Sequence, residues 1–169
     1  MTHKGVFCDT SFFIRLMDKS DPLHANAKGY FRYFMEKNFK LIVSTIAIAE
    51  YCVGGDIQQL PLKNLQIISF NLNHARRTSE FAKISFQAKK SNRLGIKERN
   101  IIPNDTKLFA QADCENTIEY YLSSDKESRK VYDLLKEETM VKYQFVDINI
   151  PYHEIFGVLG LDNDDDDMF

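Results

Sequence analysis

Apolar positions along the chain come in two alternating rhythms, short solid runs and longer stretches with a helical period. The run KGVFCD, Lys4 to Asp9, predicts a first strand. A short helix is expected from about Ser11, and a longer one from Asp21-Pro22, where an acid and a proline mark a helix start. In that second helix Leu23, Ala27, Tyr30, Phe31 and Phe34 recur at i, i+4, i+7, i+8 and i+11, which builds one apolar face. FKLIVS predicts a second strand running into the helix TIAIAEYCV, which stops at Gly54-Gly55. LQIISF reads as a third strand, and Asn71 to about Lys90 as a third long helix. The stretch from Ser91 to Pro103 carries no period and is expected to be a loop. Pro103-Asn104-Asp105 then opens the helix TKLFAQADCEN, followed by the strand TIEYYL. A helix from Asp125 to about Thr139 leads to the strand KYQFVDINI, and Pro151 suits the first turn of a final short helix. Four or five strands separated by helices predict an α/β fold with a mostly parallel central sheet and helices on both faces.

At 169 residues the chain has the size of one domain, expected over residues 1–161, with residues 162–169, DNDDDDMF, as a disordered acidic tail. Hydrophobic residues at 44% and charged residues at 27% fit a soluble globular protein. The opening MTHKGVFCDTSFF has an aspartate inside its short apolar stretch, unlike a signal peptide or membrane span, so the expected location is the cytoplasm. Cys8, Cys52 and Cys114 lie far apart among apolar residues and are expected as buried free thiols rather than a disulfide or zinc framework. His3, His24, His74 and His153 show no ligand-like spacing. The net charge is −2, but five of the acids sit in the tail; without them 22 basic residues face 19 acidic ones, a balance of +3. That permits nucleic-acid binding without demanding it.

Four acids stand in unusual places. Asp9 and Asp125 each follow an apolar strand, where open parallel sheets gather their ligand sites. Each also precedes a helix, so capping is an alternative for both, as it is for Asp105 at the start of TKLFAQA. Glu50 interrupts the apolar run IAIAEYCV with no basic residue within eight positions, and an unpaired buried carboxylate costs several kcal/mol. If the four converge, their mutual repulsion demands a counter-charge. A hard divalent cation with oxygen ligands, Mg2+ or Mn2+, answers that demand.

Three blocks in this order resemble the PIN-domain nucleases, and within them the VapC-like toxins of type II toxin–antitoxin pairs. VFCDTSFFI is similar to the family's opening strand with its metal-binding aspartate, and VSTIAIAEYCVGG to the element that carries its glutamate. NDTKLFAQADCENTIEYYLSSDKE resembles the third element, with an aspartate opening a helix and another after the next strand. The resemblance spans about Val6 to Asp147 and implies a PIN-like fold with Asp9, Glu50, Asp105 and Asp125 as catalytic and metal-binding acids. It implies Ser11 and Ser124 as polar helpers, and leaves Asp113 at the surface. It further implies an Mg2+- or Mn2+-dependent endoribonuclease, a small antitoxin partner whose tail offers a basic residue to the acidic pocket, and a homodimer. The aromatic Leu23–Phe34 face is the expected dimer surface, unless it packs into its own core. Arg76, Arg77, Lys83, Lys89, Lys90, Arg93, Lys97 and Arg99 are candidates for an RNA path, with a solvated helix face as the alternative for the first five.

Other classes fit less well. A phospho-receiver would need an acidic pair at the first strand end and a lysine after the last strand, and FCDTS and FVDIN supply neither. A dinucleotide-binding fold would need G-x-G-x-x-G after the first strand. The readings that stay open beside the toxin are a PIN nuclease of RNA processing and a catalytically weak PIN-fold binding module.

Overall fold

The computed structural model describes residues 4–95 and 101–159. Strands β1 (Gly5–Cys8), β2 (Lys40–Ser44), β3 (Leu65–Ile68), β4 (Ile118–Ser123) and β5 (Gln144–Asp147) form one sheet in the order β3-β2-β1-β4-β5. Every neighbouring pair is parallel. Helices α1 (Thr10–Met17), α2 (His24–Glu36), α3 (Thr45–Tyr51), α4 (Leu72–Lys90), α5 (Ile101–Cys114), α6 (Lys126–Glu138) and α7 (Tyr152–Phe156) connect the strands. This is the α/β architecture expected from the alternating rhythms, with β1 at its centre because Val6, Phe7 and Cys8 lose all contact with solvent.

The chain winds outward from β1 to β2 and β3, then returns to the other side of β1 for β4 and β5. The strand order therefore reverses between β1 and β4, and the crevice at their carboxyl ends is where such sheets place ligands. Side-chain alternation sorts the aromatic residues of β4 between the two helical layers. Tyr120 meets Phe34 of α2 and Phe156 of α7, while Tyr121 meets Phe109 of α5. Phe7 and Tyr121 are register partners and stack at 5.3 Å. The face carrying Phe7 and Tyr121 also carries the next residues of that parity, Asp9 and Ser123, up to the crevice.

Several expectations are corrected in detail. Helix α5 begins at Ile101, so Asp105 lies inside it rather than at its start. Pro103 is tolerated there because the N–H it lacks would have no partner in a first helical turn. Of the stretch expected as a loop, residues 96–100, with Lys97 and Arg99, lie outside the described residues, as does the tail from 162. The Leu23–Phe34 face is not available as a dimer surface, since Ala27, Tyr30, Phe31 and Phe34 are buried in the core of their own chain. Cys8 is buried as expected, but Cys52 is exposed and Cys114 half-buried. Asp113 is not at the surface either. It is 4% exposed, pairs with Arg77 Nε at 2.8 Å and accepts the Lys142 backbone N–H at 2.8 Å. No described helix is long and apolar enough to cross a membrane.

Candidate active site

The end of β1 delivers Asp9 to the crevice. The residue occupies the N-cap position of α1, yet its side chain makes no cap bond. Instead Asp9 Oδ2 accepts the hydroxyls of Ser123 at 2.7 Å and Ser11 at 2.9 Å. The carboxyl is 8% exposed, and burial raises its pKa above the ordinary carboxylate range. The hydrogen bonds from Ser123, Ser11 and the Thr10 backbone oppose that shift, and the nearby Glu50 charge adds to it.

Asp105 reaches the same place from α5. Burial first, then the charges of Asp9, Asp125 and Glu50, push its pKa up to about 9. Its Oδ2 is buried without a hydrogen-bond partner. Glu50 comes from α3, whose start is fixed by Ser44. The Ser44 hydroxyl accepts the Ile46 N–H and donates to Gln111 Oε1 of α5, which ties the glutamate's helix to the helix of Asp105. Glu50 is half-buried rather than enclosed, and Thr10 donates its hydroxyl to Oε2.

Asp125 follows β4 and does cap the next helix, accepting the N–H groups of Glu127 at 2.8 Å and Ser128 at 3.3 Å on Oδ1. Its own N–H donates to the Ser123 hydroxyl at 3.1 Å. Ser123 thus takes the Asp125 backbone with its oxygen and gives its proton to Asp9. Of the two expected polar helpers, Ser11 touches Asp9, whereas the Ser124 hydroxyl accepts from Arg15 Nε at 3.4 Å. Ser123 and Thr10 are the contacts that sequence reasoning missed. The strand's alternation carried the signal for Ser123, which shares a face with Tyr121, two residues earlier.

Asp9, Glu50, Asp105 and Asp125 line one cavity of about 270 Å3, with Thr10 and Ser11 in its wall. No lysine or arginine among the described residues forms an ion pair with any of the four. The carboxylates stand around this space rather than closed on one point, and no three of them make a ready coordination shell among the described residues. The donor chemistry nevertheless fits a hard cation. All donors are oxygens, Asp105 Oδ2 is orphaned, and the raised pKa values of Asp9 and Asp105 mark carboxyls whose ionised form lacks an offsetting positive charge.

No family model matches the sequence, and no curated protein does. Solved structures do match. A chain of VapBC2 from Rickettsia felis, bound to a DNA fragment from its promoter, superposes with a TM-score of 0.54 at 16% identity, over 85% of this chain and 99% of that one. A chain of DNA-bound VapBC from Salmonella typhimurium gives 0.52 at 12% identity, over 86% and 98%. VapC20 of Mycobacterium tuberculosis, a toxin that cleaves the sarcin–ricin loop, gives 0.50 at 17% identity, over 73% and 92%. By its five-stranded parallel sheet and its likeness to these chains, the protein has the PIN-like fold of the VapC toxins.

Proposed function

We propose that the protein is a metal-dependent endoribonuclease, the toxin of a toxin–antitoxin pair. The observation that carries this reading is the convergence of four carboxylates, from four separate elements, on one cavity at the β1/β4 switch point with no cationic partner among the described residues. The likeness to a toxin that cleaves the sarcin–ricin loop supports RNA as the substrate, and the likeness to chains of VapBC complexes supports a small antitoxin partner.

In this reading Asp9, Asp105 and Asp125 hold Mg2+ or Mn2+, and Glu50 fixes a water or a second ion at the rim. Such an ion lowers the pKa of a water and offsets charge growing on phosphate oxygens. Ser123 and Ser11 favour the ionised form of Asp9 by donating to it, against the effect of burial, and Thr10 sets the direction of Glu50. Asp125 presents one oxygen to the helix α6 amides, which fixes the carboxylate relative to β4. For the RNA backbone, Arg76, Lys83, Lys89 and Lys90 of α4 remain candidates, because α4 packs on α5, the helix that carries Asp105. Arg77 and Arg93 are committed instead to Asp113 and Glu138. A homodimer, in this reading, uses a surface other than the buried face of α2.

A binding module without cleavage has no physical use for four repelling carboxylates. Cleavage of RNA that needs Mg2+ or Mn2+, and that Asp9→Asn abolishes, tests the chemistry. Co-purification of a small basic-tailed protein from the native host tests the toxin role.

A further inference from the structure

Beside the acid cavity lies a larger one of about 570 Å3, and the two share Ile14 and Glu50 in their walls. One wall is the last turn of α1 with Met17 and Asp18, and the other is the end of α3 with the turn through Gly54 and Gly55. Its volume is in the range of sites that enclose a small organic group on apolar walls with a few polar hooks.

The far wall is braced to keep its shape. A Cβ on Gly55 would fall 2.6 Å from carbons of the Tyr51 ring, so glycine lets the backbone lie against that ring. The Tyr51 hydroxyl donates to Gln59 Oε1 at 3.1 Å, and the Asp56 N–H donates to the same oxygen at 3.2 Å. Both donors engage the carbonyl of Gln59, which orients its amide and leaves the NH2 group as the end that can serve a ligand. Across the cavity, Asp18 Oδ1 accepts the backbone N–H of Ser20 at 2.9 Å and its hydroxyl at 2.6 Å. Those bonds hold the Asp18 carboxyl below the ordinary range, so it stays ionised and acts only as an acceptor.

The cavity therefore offers a carboxylate acceptor and an amide donor between apolar walls. A phosphate is unsuited to it, because its charged wall residues are Asp18 and Glu50. A purely apolar side chain is unsuited as well, since it would cover Asp18 without giving it a hydrogen bond. A planar base with N–H donors beside a carbonyl matches both hooks. Guanine has that edge, with N1–H and N2–H donors next to O6, and it is through this edge that enzymes read a base taken out of its stack.

We propose that this cavity is a guanine subsite, which seats a base adjoining the phosphodiester held at the four acids. The proposal rests on the nuclease reading of those acids, and the test keeps the two apart. Gly54 lines the cavity, and a Cβ added there meets nothing within 4 Å, so Gly54→Val adds bulk at the cavity wall without pressing on the fold. The experiment measures kcat/KM of the full chain with Mg2+ or Mn2+ on the pentanucleotides UUGUU, UUAUU, UUCUU and UUUUU. The subsite predicts a preference for UUGUU of tenfold or more. Asp18→Asn and Gly54→Val should each erase that preference, Gly54→Val chiefly through KM, while metal still raises the melting temperature of both variants. Equal cleavage of all four RNAs, or an undisturbed preference in Gly54→Val, overturns the subsite and leaves the nuclease reading standing. If no RNA is cleaved, the nuclease reading fails. Binding of guanosine monophosphate and adenosine monophosphate in chelator then decides the subsite, which requires tighter guanosine binding that Gly54→Val weakens. If Gly54→Val blocks a protein partner and leaves RNA cleavage and nucleotide binding unchanged, the cavity is a peptide dock and the proposal is wrong.

Discussion

Ser123, the last residue of β4, donates its hydroxyl to Asp9, the first residue after β1, across 2.7 Å. The bond closes the β1/β4 crevice at its base and stabilises the ionised form of a carboxyl that burial drives toward protonation. Ser123→Ala should therefore weaken metal binding by about tenfold or more, the usual scale for losing a partner that supports a metal ligand. Ser124→Ala, whose hydroxyl faces Arg15, should leave metal affinity unchanged. Calorimetric titration of Mg2+ or Mn2+ into both variants compares them, and equal affinities would remove Ser123 from the site.

Asp125 tests capping against metal binding within one residue. Asparagine caps nearly as well as aspartate, whereas alanine costs about 1 kcal/mol. In chelator, Asp125→Asn should melt close to the natural protein and Asp125→Ala lower, by roughly 2–4 °C for a chain of this size. Both should lose cleavage. An Asp125→Asn protein with full activity would leave Asp125 as a cap only.

The acids also set a pH dependence for the metal-free protein. The folded state raises the Asp105 pKa from 3.8 to about 9, so between those values it holds a proton that the unfolded chain releases. The stabilisation from this group is fully present below the unfolded pKa and is lost as pH rises through the folded one. The melting temperature in chelator should thus fall from pH 5 to pH 9. Asp105→Asn should flatten the fall, and the remaining slope belongs in part to Asp9, which shifts in the same direction. An equal slope in the Asn variant would contradict the buried, unpaired carboxyl.

The strand–helix order, the parallel sheet and the unusual settings of Asp9, Asp125 and Glu50 were legible because each leaves a local mark, whereas Asp105 lies deeper in its helix than expected. Apolar runs stop at Asp9 and Asp125, and Glu50 breaks an apolar stretch. What the sequence hid depends on contacts between distant segments. Asp113 is buried because Arg77, 36 residues earlier, pairs with it across the α4–α5 contact, and no spacing rule links the two. Ser123 and Ser124 are chemically alike, and only the parity of β4 against Asp9, just past β1, decides which hydroxyl meets the acid. The aromatic face of α2 was ambiguous between core and dimer, since periodicity reports that a face is buried but not what buries it.

Whether the four carboxylates form one cation site that cleaves RNA is tested by the melting temperature of the natural protein and of Asp9→Asn, with and without Mg2+ or Mn2+, beside an RNA cleavage assay on the same samples. An ion at 100 times its dissociation constant stabilises the folded state by about 2.7 kcal/mol, or roughly 5–10 °C here. The natural protein should show that rise, with cleavage. Asp9→Asn should show neither, together with a metal-free stability at least equal to the natural protein's, because a repelling charge has gone. Full cleavage by Asp9→Asn, with no metal-induced shift in either protein, would rule out the shared cation site.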